Sequence, residues 1–492
     1  MAVELDRDLA SIQEVRDLVR KARTAQAKLA EMDQRQIDAI VEAMARAAEQ
    51  AAQPLAKMAV EETGFGKVED KIVKNVFASR AIYASIQNIK SVGIIHEDRE
   101  KQVIDAAVPM GIVAGLVPST NPTSTAIFKA LIAVKAANAL IISPHPSALK
   151  CIGEAVRVLA QAATQAGAPE GTVSMMTLPT VQGTNELMKL SNLIIATGGS
   201  AMVKAAYSSG TPALGVGPGN VPAYIERTAD IPTAVRHILA SKTFDYGTIC
   251  ASEQSIVTEE CIKGEVVAEL KKQGAFFLSA EDAKRLGSII LRPGSDTVNP
   301  RIVGRSPQMI AELAGIRVPQ DAKVLIAEQD GVGKGYPYSI EKLCPVLAFY
   351  TCRDWHDACE RCLELLRFVG IGHSLSLHTN NPDIVRAFLL KKPVSRLLVN
   401  TASAQGGLGA TTGIMPSLTL GCGAVGGSAT SDNVTVYHMF QIRRAAYGLI
   451  EPEEVAKGVQ APSEQTYGGL SMPQDDMERI VQAVLREVRA AK

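Results

Sequence analysis

The sequence has no surplus of either charge. In 492 residues, 51 Lys and Arg stand against 51 Asp and Glu, a formal net charge of zero. That balance argues against a general nucleic-acid binder, which needs a basic surplus or stripe to meet phosphates. Long hydrophobic runs are lacking too. No stretch approaches the ~20 apolar residues of a membrane span, and the longest are short, such as residues 193–196. The opening MAVELDRDLASIQEV is charged and amphipathic, so no secretory signal is expected. Cysteine is sparse: eight in so long a chain do not build a disulfide framework. What is present, 47% apolar and 21% charged residues, is the composition of a globular chain. The absences predict a soluble, reduced, cytoplasmic protein of roughly three domains or fewer, with neither nucleic acid nor membrane among its partners.

Organisation follows from periodicity. Leu9, Ile12, Val15, Leu18 and Val19 keep a helical period, which resumes at Ile37, Ile40, Val41, Met44 and Ala45. Residues 99–109 read as a strand or hairpin arm, and 111–117 as a short apolar strand ending in a Pro-Ser-Thr-Asn-Pro loop. The pattern then alternates: helix 123–138, strand 139–143, helix 148–167, strand 173–177, helix 183–190, strand 192–196 and a further helix. Such alternation predicts parallel βαβ units, so 110–235 is expected to be a doubly wound α/β domain of nucleotide-binding type. A second α/β stretch, about 240–430, offers strands at 255–257, 324–327, 346–350 and 397–400. There is no internal repeat. Residues 458–474 read as a linker, and 475–492 place Met477, Ile480, Val481, Val484, Leu485 and Val488 on one face of an amphipathic helix.

Several residues are candidates for chemistry. Thr197-Gly198-Gly199-Ser200 lies between a strand and a helix, where free N–H groups and a positive dipole end receive an anion; an ordinary βα turn is the alternative. The nearby GVGPGN (Gly215, Gly217, Gly219) lacks the spacing of a dinucleotide fingerprint. Cys250, in FDYGTICASE, follows a Gly turn and precedes a strand, a junction where a thiolate can face a cleft, although a lone Cys is more often buried filler. Cys352, His356, Cys359 and Cys362 lie on a helical period without a second ligand pair, so core packing is expected and no metal site. Cys344 and Cys422 read as pocket walls and His237 as structural, whereas His145 and His373 follow βα-type junctions where sites are built.

Read together and in order, these segments resemble the CoA-acylating branch of the aldehyde dehydrogenase superfamily. They include VPSTNPTST (117–125), SPHPSA (143–148), ATGGSAMVKAAYSSGTPALGVGPGN (196–220), FDYGTICASEQS (244–255), EKLCPVLAFY (341–350), GHSLSLHT (372–379), RLLVNTASAQGGLG (396–409) and PSLTLGCGAVGG (416–427). The branch includes the aldehyde half of bifunctional alcohol–aldehyde dehydrogenases and the aldehyde dehydrogenases of bacterial microcompartments. The resemblance implies an α/β fold with three parts. A Rossmann-like nucleotide-binding domain takes 1–97 and 111–239, a catalytic domain takes 240–429, and a small β oligomerisation arm takes 98–110 and 430–449, with 450–474 as linker. It also implies Cys250 as nucleophile, with the Asn121 amide and the Cys250 N–H as oxyanion donors. Glu341 is implied to hold the nicotinamide ribose, Thr120, Gly199, Ser200 and Gly217 to line the dinucleotide site, and His373 to support thiol activation.

Two departures from the hydrolytic members carry information. Where those have a general-base Glu, the matching PALGVGPGNVP (212–222) holds no carboxylate, which favours coenzyme A over water as acyl acceptor. Where they have Lys-Pro-Ser-Glu, this chain has His145-Pro146-Ser147-Ala148, so one pocket is expected to take NAD and coenzyme A in turn. By the same resemblance the chain is a homodimer or homotetramer. Residues 475–492 match an encapsulation peptide that binds microcompartment shell proteins. The rival expectations are a hydrolytic enzyme yielding a free acid, which predicts activity without coenzyme A, and a catalytically silent scaffold.

Overall fold

The computed structural model describes residues 6–459. The chain opens on helices. α1 (Arg7–Leu29) buries Val15, Val19, Ala22, Ala25 and Leu29, while Leu9, expected on the same stripe, is exposed. α2 (Gln34–Gln50) starts at a capping box of Asp33 and Gln36, which satisfies two backbone donors reciprocally, and buries Ile37, Ile40, Val41, Met44 and Ala45 as expected. α3 (Ala52–Thr63) and α4 (Val68–Val76) follow. A π-turn (Phe77–Ala81) then leads into the short α5 (Ile82–Ile86).

Contacts divide the chain into two compact units, a larger one of residues up to 95 and 106–443 and a smaller one of 96–105 and from 444 onward. The strands β1 (Gly93–Asp98) and β2 (Val103–Pro109) enter a three-stranded sheet whose third strand comes from the far end of the chain.

The larger unit carries two parallel sheets. In the first, β3 (Ile112–Val117), α6 (Pro122–Lys135), β4 (Ala139–Pro144), α7 (Leu149–Gln165), β5 (Val173–Met175), α8 (Val181–Leu190), β6 (Leu193–Thr197), α9 (Ser200–Tyr207) and β7 (Ala213–Val216) alternate as the sequence predicts. The strand order is β5-β4-β3-β6-β7. Successive crossovers therefore run outward from β3 one way through β4 to β5, then the other way through β6 to β7. The direction reverses between β3 and β6, which creates the crevice where ligands of open α/β sheets bind. β3 and β4 are buried on both faces, and every residue of α6 is buried, Lys129 and Lys135 included.

The second sheet takes in residues before 239. Its first strand is β8 (Val221–Ile225), reached directly through the GVGPGN loop. α10 (Ile231–Thr243) packs its apolar face with Ala223 and Ile225 of this strand. β9 (Glu253–Glu259), β10 (Ala275–Phe277), β11 (Val324–Glu328), β12 (Val346–Cys352), β13 (Gly372–His378) and β14 (Val394–Val399) complete the order β10-β11-β12-β9-β8-β13-β14, all parallel. The strand expected near 397–400 is longer at its start and ends one residue earlier. Cys359 and Cys362 lie on the buried face of the helix Trp355–Phe368, inside the core.

A correction concerns the arm. The strand expected near 432–438 is instead a single antiparallel bridge, Leu420 to Asn433, and a 3-10 turn at Val436–His438. Val434, Val436 and Met439 are apolar and belong to the core of the larger unit. The true strand is β15 (Phe440–Ala446), with every residue after Phe440 exposed. In the smaller unit Arg444 grips Asp105 with two parallel bonds of 2.6 and 2.7 Å, a fork geometry that fixes the register of β2 and β15. The helix expected over 475–492 lies outside the described residues.

Candidate active site

A cavity of about 750 Å³ opens where the strands of the first sheet end. Leu116 and Val117 of β3, Ser143 and Pro144 of β4, Thr197 of β6 and Val216 of β7 form its floor. These are the carboxyl ends of parallel strands on both sides of the β3/β6 reversal. Thr180, Val181 and Gln182 bring the N-terminus of α8 to the wall, and Gly198 and Gly199 that of α9. The α9 cap, Gly199, makes no side-chain bond to the helix N–H groups. A Cβ on Gly199 or on Gly217 would meet nothing within 4 Å. Uncapped N–H groups beside open space fit the phosphates of a dinucleotide.

The structure brings most of the expected residues to this one cavity. Thr120, Asn121, His145, Pro146, Gly199, Gly217, Cys250 and Glu341 all line it. Ser200 and His373 do not, nor do Cys344 and Cys422, which are buried away from the wall. Ser200 is the first residue of α9 and is exposed. His373 is buried because it is the second residue of β13, a strand paired on both sides and buried along its length. Its Nδ1 pairs with Ser374 Oγ at 3.0 Å and its Nε2 has no partner among the described residues. Burial, helped by the Arg396 charge, pushes the imidazole down to about 3, so it is neutral near pH 7.

Cys250 stands on the turn before β9, half-exposed to the cavity. Its approach is set by a strained segment in which Asp245 and Tyr246 both take left-handed backbone, φ +50° and +49°. Burial pushes the thiol up to about 12, with the Glu341 carboxylate and Cys422 adding to the rise and Arg396 opposing it. The resting nucleophile is thus a neutral thiol. Gly219 packs against its backbone so closely that a Cβ there would lie 1.9 Å from the Cys250 carbonyl oxygen. The Gly219 N–H in turn donates to Glu341 Oε1 at 3.0 Å.

Asn121 caps α6 at the end of the loop after β3. Its Nδ2 donates to Thr248 O at 2.9 Å, and its Oδ1 accepts from Lys74 Nζ at 2.6 Å. Behind it lies a buried cluster that the sequence reading missed. Lys71 and Lys74, both from α4, share the Asp245 carboxylate, and Lys71 Nζ also donates to Thr120 O at 2.9 Å. Burial pushes Lys74 down to about 8 against the pull of Asp245. Burial acts upward on Asp245, but the two ammonium groups outweigh it and hold the carboxyl below its usual range. Glu253 does not line the cavity, and its Oε1 accepts from the Ser403 N–H at 3.0 Å.

Burial pushes the Glu341 carboxyl up to about 8. An acid with a raised folded-state pKa costs stability as soon as the unfolded chain's carboxyl ionises while the buried one stays protonated. The cost is absent below about pH 4.5 and full above pH 8. Glu341→Gln, which keeps an acceptor for Gly219, should stabilise the fold on the order of 3 kcal/mol at pH 9 and not at pH 4. Melting curves at the two pH values check this, and an equal shift at both would contradict it.

Comparison with known proteins gives a consistent answer. Residues 6–291 match the family described as the aldehyde dehydrogenase family. The bifunctional aldehyde-alcohol dehydrogenase of Escherichia coli K12 is 45% identical over 445 residues, 89% of this chain and 50% of that one. The chain thus spans about half the length of that curated relative. The crystal structure of an acetylating aldehyde dehydrogenase from Geobacillus thermoglucosidasius has 56% identity and a TM-score of 0.89, over 91% of this chain and 99% of that one. A propionaldehyde dehydrogenase from the Clostridium phytofermentans fucose utilisation microcompartment has 26% identity and a TM-score of 0.79, over 88% and 97%.

Proposed function

Because this chain belongs to the aldehyde dehydrogenase family, we propose that it is a CoA-acylating member, converting aldehyde, coenzyme A and NAD+ reversibly to acyl-CoA and NADH. One observation carries the choice of acyl acceptor. Among the described residues the cavity holding Cys250 is lined by only two carboxylates, Asp8 on the first turn of α1 and Glu341, which is tied to Gly219. Residues 212–222, which border Cys250 through Gly219, supply none. No dedicated base is placed for water, while a thiol acceptor ionises with less help.

In this reading the Cys250 thiol loses its proton to solvent, and Sγ adds to the aldehyde carbon as the carbonyl π bond breaks, giving a thiohemiacetal oxyanion. Asn121 Nδ2 and the Cys250 N–H receive the oxyanion. NAD+, held by the walls that Thr120, Gly199, Gly217 and Glu341 form, would supply the hydride acceptor for collapse of the oxyanion, which leaves the acyl group on Cys250 as a thioester. The thiol of coenzyme A then attacks that thioester and frees Cys250 as its leaving group. Glu341 holds the nicotinamide ribose, and Thr120, His145, Pro146, Gly199 and Gly217 form the walls of the nucleotide site, with Ser200 at the start of α9. His373, neutral and with no partner for Nε2 among the described residues, is given a supporting role in thiol activation from behind the cavity wall. NAD is preferred over NADP.

The substrate is a short, uncharged aldehyde such as propionaldehyde or acetaldehyde. Ile249, Val216, Leu408 and Leu420 pack with Cys250, and of the two cations lining the cavity among the described residues, Arg7 belongs to the first turn of α1 and Lys74 has its donors engaged by protein groups, a lining that favours an uncharged substrate. Intact-mass spectrometry after incubation with propionaldehyde and NAD+ should show an acylated Cys250 that coenzyme A discharges. An adduct that water clears as fast would reject the reading.

The exposed β15, continued by Tyr447, Leu449 and Ile450, offers a strand and apolar side chains for a homodimer or homotetramer. The tail from 475, by its sequence stripe, is assigned to binding microcompartment shell proteins. Deleting 458–492 should leave turnover intact and abolish co-localisation with shell; unchanged co-localisation would remove the assignment.

A further inference from the structure

Lys74 borders the cavity, yet its ammonium has no donor left for a ligand. Its three N–H groups meet Asn121 Oδ1 at 2.6 Å, the Asp245 carboxylate, and Thr248 Oγ1 at 3.1 Å. Its effect is therefore exerted through Asn121. An asparagine amide is a flat group whose oxygen and NH2 ends exchange on half a turn, with little steric difference. Here the ammonium cannot face NH2, and the Thr248 carbonyl cannot face Oδ1. With Oδ1 held by Lys74 and one Nδ2–H donated to Thr248 O at 2.9 Å, the other Nδ2–H has only a long 3.4 Å bond to Thr120 Oγ1, which a carbonyl oxygen can displace.

We propose that Lys74 is a positioning residue for the oxyanion site, locking the Asn121 amide so that its remaining N–H faces the reacting carbonyl. A charged donor on Oδ1 also polarises the amide and strengthens that N–H as a donor. Lys71 adds to this from one turn away, through Thr120 O and Asp245. Lys67, Lys71 and Lys74 against the Asp70 and Asp245 carboxylates leave one net positive charge behind the Thr120–Asn121 segment, which favours an oxyanion forming in front of it. The inference rests on the oxyanion role of Asn121.

Lys74→Met tests it, because Asp245 keeps Lys71, the Thr248 hydroxyl and the Lys67 N–H as partners. In single turnover with propionaldehyde and NAD+, acylation of Cys250 should slow about 10–100-fold. The aldehyde KM and the NAD+ Kd should not change. In an Asn121→Ala background the same substitution should change the rate by less than about twofold, since the group it positions is gone. An equal loss in both backgrounds, or a wild-type rate in Lys74→Met, overturns the proposal. Asn121→Ala alone acylating at the wild-type rate would remove the oxyanion role itself, and the positioning role with it. A slow Asn121→Ala beside a fast Lys74→Met removes only the positioning role. Should Lys74→Met not fold, Lys74→Gln keeps a donor toward Oδ1 and carries the same cycle, with a smaller expected loss of roughly 3–10-fold.

Discussion

Cys250→Ala will abolish acyl-enzyme formation, with turnover falling roughly 10⁴-fold or more. The reason lies in the composition of the cavity. No other cysteine lines it, because Cys344 and Cys422 are buried off its wall. Thr120 and Thr125 offer only hydroxyls, far weaker nucleophiles without an adjacent base. NAD+ binding should survive, because the ends of β3, β4 and β6 and the start of α9 form that part of the wall independently of the thiol. Removing one sulfur from a half-exposed position costs about 1 kcal/mol of stability, too little to explain lost turnover by unfolding. Stopped-flow NADH formation and NAD+ titration separate the two effects. Turnover retained in the variant would remove Cys250 from the mechanism.

Gly219→Ala is expected to have the second-largest effect. The new Cβ would lie 1.9 Å from the Cys250 carbonyl oxygen and 2.9 Å from its carbonyl carbon, and both are backbone atoms that no rotamer change can move. Either the nucleophile turn or the 215–220 loop must shift. The second choice also displaces the N–H that holds Glu341. A misplacement of about 1 Å at a reacting centre costs on the order of 10²-fold, so kcat/KM should fall by at least that factor. Overpacking should lower stability by about 1–3 kcal/mol. Gly264→Ala is the matched control: it is exposed, a Cβ there meets nothing within 4 Å, and it lies in the helix Lys263–Lys272. Kinetics and melting of both variants decide the matter. A Gly219→Ala enzyme as active as the control would mean that the loop is slack and the close approach has no catalytic consequence.

What could be read from the sequence, and what could not, divides along physical lines. β3, β4 and β6 were legible because parallel strands buried on both faces leave continuous apolar runs such as Leu193–Ala196. Cys250, Asn121 and Glu341 were legible through the ordered segments that carry them, and one cavity gathers all three. His373 was placed at a junction, but Gly372-His373-Ser374 is already inside a central strand, where polar residues give no apolar signal. Gly217–Asn220 reads as a loop within one domain, and in the structure it crosses from β7 of one sheet to β8 of the other. β15 was shifted because Asn433–His438 has alternating apolar residues, yet they fill the core without pairing as a strand. Lys71 and Lys74 were missed because two lysines one turn apart read as a solvated face. Only the partner Asp245, more than 170 residues away in sequence, explains their burial.

The central claim is that the thioester on Cys250 is delivered to coenzyme A and not to water. Its most direct test is NADH formation from propionaldehyde and NAD+, followed with and without coenzyme A and with the acyl product identified. Strict dependence on coenzyme A after at most one turnover, with propionyl-CoA as the product, is the predicted result. Equal steady-state rates without coenzyme A, yielding propionate, would show that water reaches the thioester and would contradict the account.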